Sequence, residues 1–185
     1  RILSYLMQPV YRFSFYKNSK LIFHNKDDLK IFINKRICRK ESACVIYGSG
    51  VDMQKFKNNK INEIFFNPIQ VLFPARIIRE KGFIELFETC LELWQEGYIF
   101  KLNIAGEIDK ENKSSLTKKE LINISQNENI IFNGKVSNMK AIYSKSDIVV
   151  LPSWREGLSK SLIEAASMSL PIITTDVPGC REIIK

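Results

Sequence analysis

The sequence predicts an α/β domain built on a doubly wound parallel sheet. Five short runs rich in Val, Ile, Leu and Phe recur from residue 69 onward without strict polar alternation, as strands buried on both faces require. Stretches with helical spacing separate these runs, and each right-handed connection between parallel strands needs one covering helix. No repeat of fixed period points to another architecture.

Residues 1–50 predict the end of a preceding α/β domain. They contain a helix of mixed aromatic and basic residues, a short strand at 21–25, a helix at 26–36 and a second strand that ends in a glycine turn. Residues 51–68 follow as an interdomain linker, because they are polar, rich in Asn and closed by Pro68.

The main domain is predicted to cover residues 69–185. Apolar stripes and end signals place its helices: Gly97 ends the first in a left-handed turn, Ser137 is the expected N-cap of the third, and the fourth follows Gly157. The second helix is expected at about 115–126. The five strands are expected at 69–75, 101–106, 129–134, 147–153 and 170–176.

Composition limits the classes of partner. Lys and Arg outnumber Asp and Glu by 28 to 20, and the resulting net charge of +8 favours anionic partners. Nucleic acid is not an expected partner, because the basic residues are dispersed among acidic ones. Four scattered cysteines and the single histidine, His24, form no metal-ligand pattern and predict reduced thiols in a cytoplasmic protein.

The ends of the chain also carry an expectation. No run approaches the ~20 apolar residues that cross a bilayer. The sequence has no signal peptide and begins at Arg1. We therefore expect a soluble chain that is incomplete at both ends.

Two loops suit a phosphorylated ligand. Ligands of open parallel sheets bind beyond the carboxyl ends of the strands, where loops lead into helix N-termini. Arg76 and Lys81 follow the first predicted strand, and both side chains can bind phosphate oxygens. The loop after the fourth strand places Gly157, Leu158 and Ser159 at a helix start, where free N–H groups attract anions.

Each of these charged residues has an ordinary alternative. Glu156 can simply favour the helix dipole. Glu164 lies about 200 degrees around the helix from Leu162, opposite the apolar stripe, where a glutamate faces solvent. Arg76 and Lys81 can form a solvated basic turn. Taken separately, the residues leave these alternatives open.

Six segments between residues 48 and 184 occur in a fixed order: GSGVDMQKF, ARIIREKG, LNIAGE, IIFNGKV, LPSWREGLSKSLIEA and TTDVPGCREII. In this order and spacing the chain resembles glycosyltransferase family four. The resemblance implies the two-domain GT-B fold and a retaining enzyme that uses a nucleotide-sugar donor. It places residues 1–50 at the end of the acceptor-side domain and residues 69–185 in an incomplete, Rossmann-like donor-binding domain.

The resemblance also implies roles for the two loops. Arg76 and Lys81 match the basic pair that binds the donor diphosphate and stabilises its departure. Gly157, Leu158 and Ser159 match the loop that contacts phosphate.

Three further residues complete the implied site. Glu156 and Glu164 match the family's E-x7-E pair, in which the first carboxylate faces the sugar hydroxyls and the second faces the nucleotide ribose. Val136 falls where backbone groups meet the base. The implied catalytic residues are Arg76, Lys81 and Glu156.

Two positions depart from the family pattern. Ser159 stands where the family commonly has proline, and Ser169 stands where it has glycine. Ser169 must therefore tolerate left-handed backbone geometry, or the helix must end differently. The sequence has no Asp-x-Asp motif, so the resemblance implies neither a metal nor a cofactor; the nucleotide sugar is a substrate, with UDP as the first expectation.

The expected function is transfer of a hexosyl or N-acetylhexosaminyl unit from a UDP-sugar to a lipid-linked or glycan acceptor. The expected setting is the synthesis of bacterial surface polysaccharide, lipopolysaccharide or lipid-linked glycan. A GT-B-fold nucleotide-sugar epimerase and a non-catalytic nucleotide-binding module are the alternatives. Since most of the acceptor domain is outside the sequence, these 185 residues are expected to be inactive alone.

Residues 9–20 combine aromatic and basic side chains. They favour either a peripheral contact at the inner face of the cytoplasmic membrane or an ordinary packed helix with snorkelling lysines. His24 is not expected to touch substrate.

Overall fold

The computed structural model describes residues 2–15, 19–57, 68–109 and 111–184. These residues form a two-stranded sheet in the N-terminal part and a five-stranded sheet in the main part. Every strand pair is parallel. The predicted α/β class with a parallel sheet is therefore confirmed.

The described part of the N-terminal unit contains two α-helices, a 3-10 helix at Lys40–Ser42 and two strands. Helix α1 covers Ile2–Ser14, strand β1 covers Leu21–Phe23, helix α2 covers Lys26–Asn34 and strand β2 covers Ala43–Val45. Its elements follow the predicted order, with shorter strands than the sequence pattern indicated. No helix among the described residues is both long enough and apolar enough to span a membrane.

The main domain alternates strands and helices in the predicted order. Its elements are β3 (Ile69–Phe73), α3 (Phe83–Gln95), β4 (Phe100–Ile104), α4 (Lys118–Ser125), β5 (Ile130–Phe132), α5 (Met139–Tyr143), β6 (Ile148–Leu151), α6 (Lys160–Ser167) and β7 (Ile172–Thr174).

The main sheet has the spatial order β5, β4, β3, β6, β7. The chain moves outward from β3 to β5 and then crosses back to β6 on the other side of β3. The winding direction therefore reverses between β3 and β6. In sheets of this kind, ligands bind at such a reversal, beyond the carboxyl ends of the strands.

The core lies on both faces of this sheet. Consecutive strand residues are buried, which explains why the apolar runs lack polar alternation. The fully buried side chains of the strands pack against helix residues such as Phe83 and Leu162. These strand residues are Leu72, Phe73, Leu102, Ile104, Val149 and Leu151.

The predicted linker, residues 51–68, falls partly outside the described residues, because 58–67 are not described. Phe56, near its start, is buried in the core of the main domain. Its ring centroid lies 6.1 Å from that of Tyr143, and its carbonyl oxygen accepts a hydrogen bond from Ser167 Oγ at 2.9 Å. The described beginning of the segment thus packs as part of the main domain.

Three helix ends can be compared with the predictions made from local sequence signals. Gly97 takes φ +94° just after α3, so the predicted left-handed ending is confirmed. The prediction of Ser137 as an N-cap is wrong: α5 begins one residue later than expected, and Asn138 caps it by accepting the Ala141 N–H at 3.3 Å. Ser169 takes φ +55°, which is the left-handed option that the sequence had left open.

Candidate active site

The loops that follow β3 and β6 contact each other at the reversal of the sheet. The Trp154 N–H donates to the Glu80 carbonyl oxygen at 2.9 Å. Gly82 takes φ +71° and lies so close to Pro152 that an added Cβ would come within 1.9 Å of the Pro152 carbonyl oxygen. No other residue type fits this position, and the two loops are consequently held together.

Lys81 and Glu156 meet where these loops join. Lys81 Nζ lies 2.5 Å from Glu156 Oε1, and the two side chains are only 21% and 12% exposed. A charged pair with this little solvent contact is weakly screened. The structure therefore brings two of the three predicted catalytic residues into direct contact, one from each side of the sheet reversal.

We call the space between the loops after β3, β4 and β6 the crevice. Arg76 lies on its β4 flank and is much more exposed than Lys81, which lies on its β6 flank. Its Nη1 lies 2.5 Å from Asp109 Oδ2, and the two side chains are 58% and 26% exposed. The Glu80 carboxyl has a lowered pKa, first because the Ser114 hydroxyl donates to it and to a smaller extent because of the Arg76 charge. Arg76 thus faces the loop after β4, with Glu80 within reach of its charge.

The helix α6 begins later than expected, with Ser159 as its N-cap, so Gly157 and Leu158 lie in the loop just before it and supply backbone N–H groups beside Glu156. Neither the Gly157 N–H nor the Leu158 N–H donates a hydrogen bond to any residue that the structure describes. Ser159 differs from the expectation of three free groups, because its N–H donates to the Gly179 carbonyl oxygen at 3.2 Å. The turn after β7 packs onto the loop and takes up this donor.

Glu164 is buried, so the interpretation of a solvent-facing glutamate is wrong. The face of α6 that carries Glu164 packs against α5. The Tyr143 hydroxyl lies 3.2 Å from Glu164 Oε2 and 3.0 Å from the Ser161 carbonyl oxygen. Burial raises the pKa of the Glu164 carboxyl, and the hydrogen bond from Tyr143 opposes this rise. Lys160 Nζ lies 3.9 Å from the other carboxylate oxygen.

Tyr143 is a residue of this region that sequence reasoning did not assign to the site. It reads as one member of the apolar stripe of α5, and its side chain is indeed fully buried. The available signal is chemical: a buried tyrosine hydroxyl needs a hydrogen-bond partner, and Glu164 is within reach.

Val136 and His24 lie at opposite sides of the region. Val136 follows the edge strand β5, two strands away from β3, and is partly buried against the core. The structure therefore does not bring it to the Lys81–Glu156 pair. His24 approaches the β6–α6 loop: a Cβ added at Gly157 would lie 3.7 Å from His24 Cδ2.

The arrangement can hold an anion next to a polyhydroxyl group. A partly buried ammonium and unpaired amides just before a helix attract phosphate oxygens, whereas the adjacent carboxylate accepts hydrogen bonds from hydroxyls. Among the described residues, no group of three or more His, Cys, Asp or Glu side chains is placed to hold a metal ion.

Sequence relatives with related activities cover most of this chain. The capsular polysaccharide biosynthesis glycosyltransferase CapM of Staphylococcus aureus is 28% identical over 155 residues, which are 78% of this chain and 40% of that protein. A Campylobacter jejuni enzyme, N,N'-diacetylbacillosaminyl-diphospho-undecaprenol alpha-1,3-N-acetylgalactosaminyltransferase, is 25% identical over 193 residues, covering 99% of this chain and 49% of that enzyme. The chain thus spans less than half the length of these two relatives.

The fold is shared with solved glycosyltransferases of the GT-B type. Anabaena Alr3699/HepE in complex with UDP-glucose superposes with a TM-score of 0.73 at 15% identity, over 96% of this chain and 51% of that protein. The family model described as Glycosyl transferases group 1 matches residues 54–185, which include both loops of the crevice. The chain therefore belongs to the group 1 glycosyl transferase family.

Proposed function

We propose that the protein transfers a sugar from a nucleoside diphosphate donor to an acceptor hydroxyl, with retention of the anomeric configuration. The observation that carries the proposal is the contact between Lys81 and Glu156 at 2.5 Å, beside the start of α6. One group suits the diphosphate and its neighbour suits the sugar, so the two halves of a nucleotide sugar have adjacent partners.

Charge stabilisation is the main contribution that these residues would make. As the bond between the anomeric carbon and the diphosphate breaks, negative charge grows on the leaving phosphate oxygen. Lys81 and the amides just before α6 are fixed before the reaction, and a preorganised donor of this kind is worth roughly 3 to 4 kcal/mol. Arg76 adds a second cation from the loop after β3.

Positioning is the second contribution. Glu156 holds the sugar hydroxyls, and Glu164 accepts from the ribose, so the anomeric carbon is presented to the acceptor at a fixed angle. The acceptor hydroxyl attacks from the face that the diphosphate leaves, and its proton passes to the departing phosphate oxygen. The protein itself supplies no covalent nucleophile in this scheme.

The donor is proposed to be a UDP-hexose or UDP-N-acetylhexosamine, since the solved neighbour HepE binds UDP-glucose. The acceptor is proposed to be a glycan or a lipid-linked sugar of a bacterial surface polymer, in line with the names of the two relatives. No cofactor is required. The proposed place of action is the cytoplasm, at the inner face of the membrane.

Helix α1 supports a peripheral membrane contact within this proposal. Leu6 and Phe13 are 64% and 85% exposed, and Arg12 lies on the same helix. Exposed apolar residues with cations suit an anionic lipid surface. Replacing Arg12, Lys17 and Lys20 by Glu should reduce binding to anionic vesicles; Lys17 lies outside the described residues. Equal binding would contradict the membrane contact.

A donor and acceptor screen on the full-length protein tests the proposed activity. UDP-sugars and other nucleotide sugars are each supplied with and without a lipid-linked or soluble acceptor panel, and product configuration is read by NMR. We expect a glycoside with retained configuration only when an acceptor is present. Conversion of the donor sugar without acceptor would instead identify an epimerase, and binding without any conversion would identify a nucleotide-binding module.

A further inference from the structure

Asn25 joins the N-terminal unit to the loop that begins α6. Its side chain is fully buried, although it is an amide at a helix start. One Nδ2 hydrogen bond runs to the Gly157 carbonyl oxygen at 2.9 Å, across 132 positions of sequence. Asn25 thus bonds to a second unit through a buried side chain, which suggests a role beyond capping α2.

Every polar group of the Asn25 side chain has a partner. Its Oδ1 accepts the Asp28 N–H at 2.7 Å, which is the N-cap of α2. Its Nδ2 donates to Asp28 Oδ2 at 2.9 Å as well as to Gly157. Exchanging the amide oxygen and nitrogen would place an oxygen against two oxygens and lose the cap, so the orientation of the side chain is determined by its neighbours.

The bond to Gly157 fixes a peptide plane. The Gly157 carbonyl and the Leu158 N–H belong to one planar trans peptide unit and point in opposite directions. While Asn25 holds the carbonyl on one side, the Leu158 N–H must face the other side. This N–H donates no hydrogen bond to the described residues. Gly157 has no side chain to restrict its backbone angles, so a fixed partner for its carbonyl determines the orientation of the Gly157–Leu158 peptide.

Other contacts hold the same loop from the same side. An added Cβ at Gly48, which takes φ +60°, would come 2.7 Å from Leu158 Cδ2, so the glycine turn after β2 lies directly against Leu158. Arg155 Nη2 donates to Asp28 Oδ1, with the Arg155 side chain 68% exposed. The N-terminal unit thus contacts residues 155, 157 and 158 of the loop before α6.

We propose that Asn25 is a positioning residue for the donor site. It orients the Gly157–Leu158 peptide so that the Leu158 N–H is directed at the diphosphate, and it acts through the loop without touching the ligand. The inference rests on the proposed function, since it assigns an N–H donor to the same crevice. It adds that a residue of the N-terminal unit orients part of the donor site.

The test separates positioning from capping. In Asn25→Ser the residue keeps a good N-cap side chain but loses the donor to Gly157. Asn138→Ser is the matched control, because Asn138 caps α5 and its side chain accepts from Ala141. UDP affinity is measured by calorimetry on the full-length proteins, together with the protection from hydrogen exchange that bound UDP gives the Leu158 amide.

We expect Asn25→Ser to bind UDP about tenfold more weakly than the wild type, as loss of one oriented hydrogen bond to a charged group predicts. The protection that UDP gives the Leu158 amide should be smaller in this variant, whereas the control should change neither quantity. Should Asn25→Ser fail to fold, Asn25→Thr, which keeps a capping hydroxyl and fills more of the buried space, carries the same expectation.

Two negative outcomes have different meanings. Equal UDP affinity in wild type and variant, with equal protection of the Leu158 amide by bound UDP, would overturn the positioning role while leaving the proposed function intact. Failure of the wild type to bind any nucleoside diphosphate would overturn the proposed function itself, and the role of Asn25 with it.

Discussion

The two flanks of the crevice differ in how firmly they hold their charges. On the β6 flank, Lys81 and Glu156 are mostly buried and directly paired. On the β4 flank, Arg76 and Asp109 form a pair of the same length that is largely open to solvent. The sequence motif treats Arg76 and Lys81 as equivalent cations. Burial distinguishes them, because a shielded charge acts more strongly on a ligand than a solvated one.

The backbone shows the same contrast. The loop before α6 is contacted from the N-terminal unit through Asn25 and Gly48, and from the turn after β7 through Gly179. The segment around Arg76 is joined to the next loop by a bond from the Ile77 N–H to the Glu107 carbonyl oxygen at 3.0 Å. We infer that the β6 flank is the preorganised half of the site.

The largest expected effect follows from removing the buried cation. In the full-length protein, Lys81→Ala should lower kcat/KM about 100-fold or more, because a preorganised donor near the leaving phosphate is lost. Lys101→Ala is the matched control, since Lys101 lies near the opposite end of the sheet and contacts Glu128 and Asn129. A loss of less than about threefold in a folded Lys81 variant would contradict the role assigned to Lys81.

Tyr143→Phe tests the buried carboxylate on the same flank. It removes the hydroxyl that bonds to Glu164, so stability should fall by about 1 to 3 kcal/mol. Since that bond opposes the rise in the pKa of Glu164, its removal should raise this pKa further.

The sign of the pH dependence follows from this shift. A carboxyl whose folded pKa lies above its unfolded value stabilises the fold fully at low pH and loses that contribution as pH rises through the folded pKa. Tyr143→Phe should therefore lose more stability at pH 7 than at pH 4, as measured by urea unfolding. An equal loss at both values would show that Glu164 does not respond to this hydroxyl.

Double-mutant cycles compare the two ion pairs directly. Unfolding of Arg76→Gln, Asp109→Asn and their combination should give a coupling of about 0 to 1 kcal/mol, as for other exposed pairs. The corresponding cycle with Lys81→Met and Glu156→Gln should give a larger value, because each partner is left buried and unpaired alone. Equal couplings would remove the distinction between the flanks.

The smallest effect is expected away from the crevice. Ser169 adopts a left-handed backbone conformation after α6, which is unfavourable for a residue with a side chain. Ser169→Gly should therefore raise stability by about 1 kcal/mol without changing kcat/KM. Ser167→Gly, within the helix, is the contrasting variant and should lower stability. A change in kcat/KM for Ser169→Gly would mean that the β6 flank is less rigid than proposed.

Much of the fold could be predicted from the sequence because the signals are local. Apolar runs of β3 to β7 and the glycine after α3 report on their own segments, and the element order follows from them. The exact start of α5 could not be predicted, because Ser137 and Asn138 are both good capping residues and only the helix geometry selects between them.

For the candidate site, the sequence could indicate residues but not the contacts between them. The resemblance to glycosyltransferase family four singled out Lys81 and Glu156, whereas their pairing depends on strands β3 and β6 lying side by side, which is a property of the whole sheet. Burial of Glu164 depends on α5 packing against α6, and the Asn25 bond spans two units. Single-sequence periodicity carries no information about such long-range contacts.

A structure of the full-length protein bound to UDP tests the central claim most directly. The account predicts the diphosphate within hydrogen-bond distance of Lys81 Nζ and of the Leu158 N–H, at the reversal between β3 and β6. A diphosphate bound elsewhere, with the Lys81–Glu156 pair unchanged and remote from the nucleotide, would contradict it.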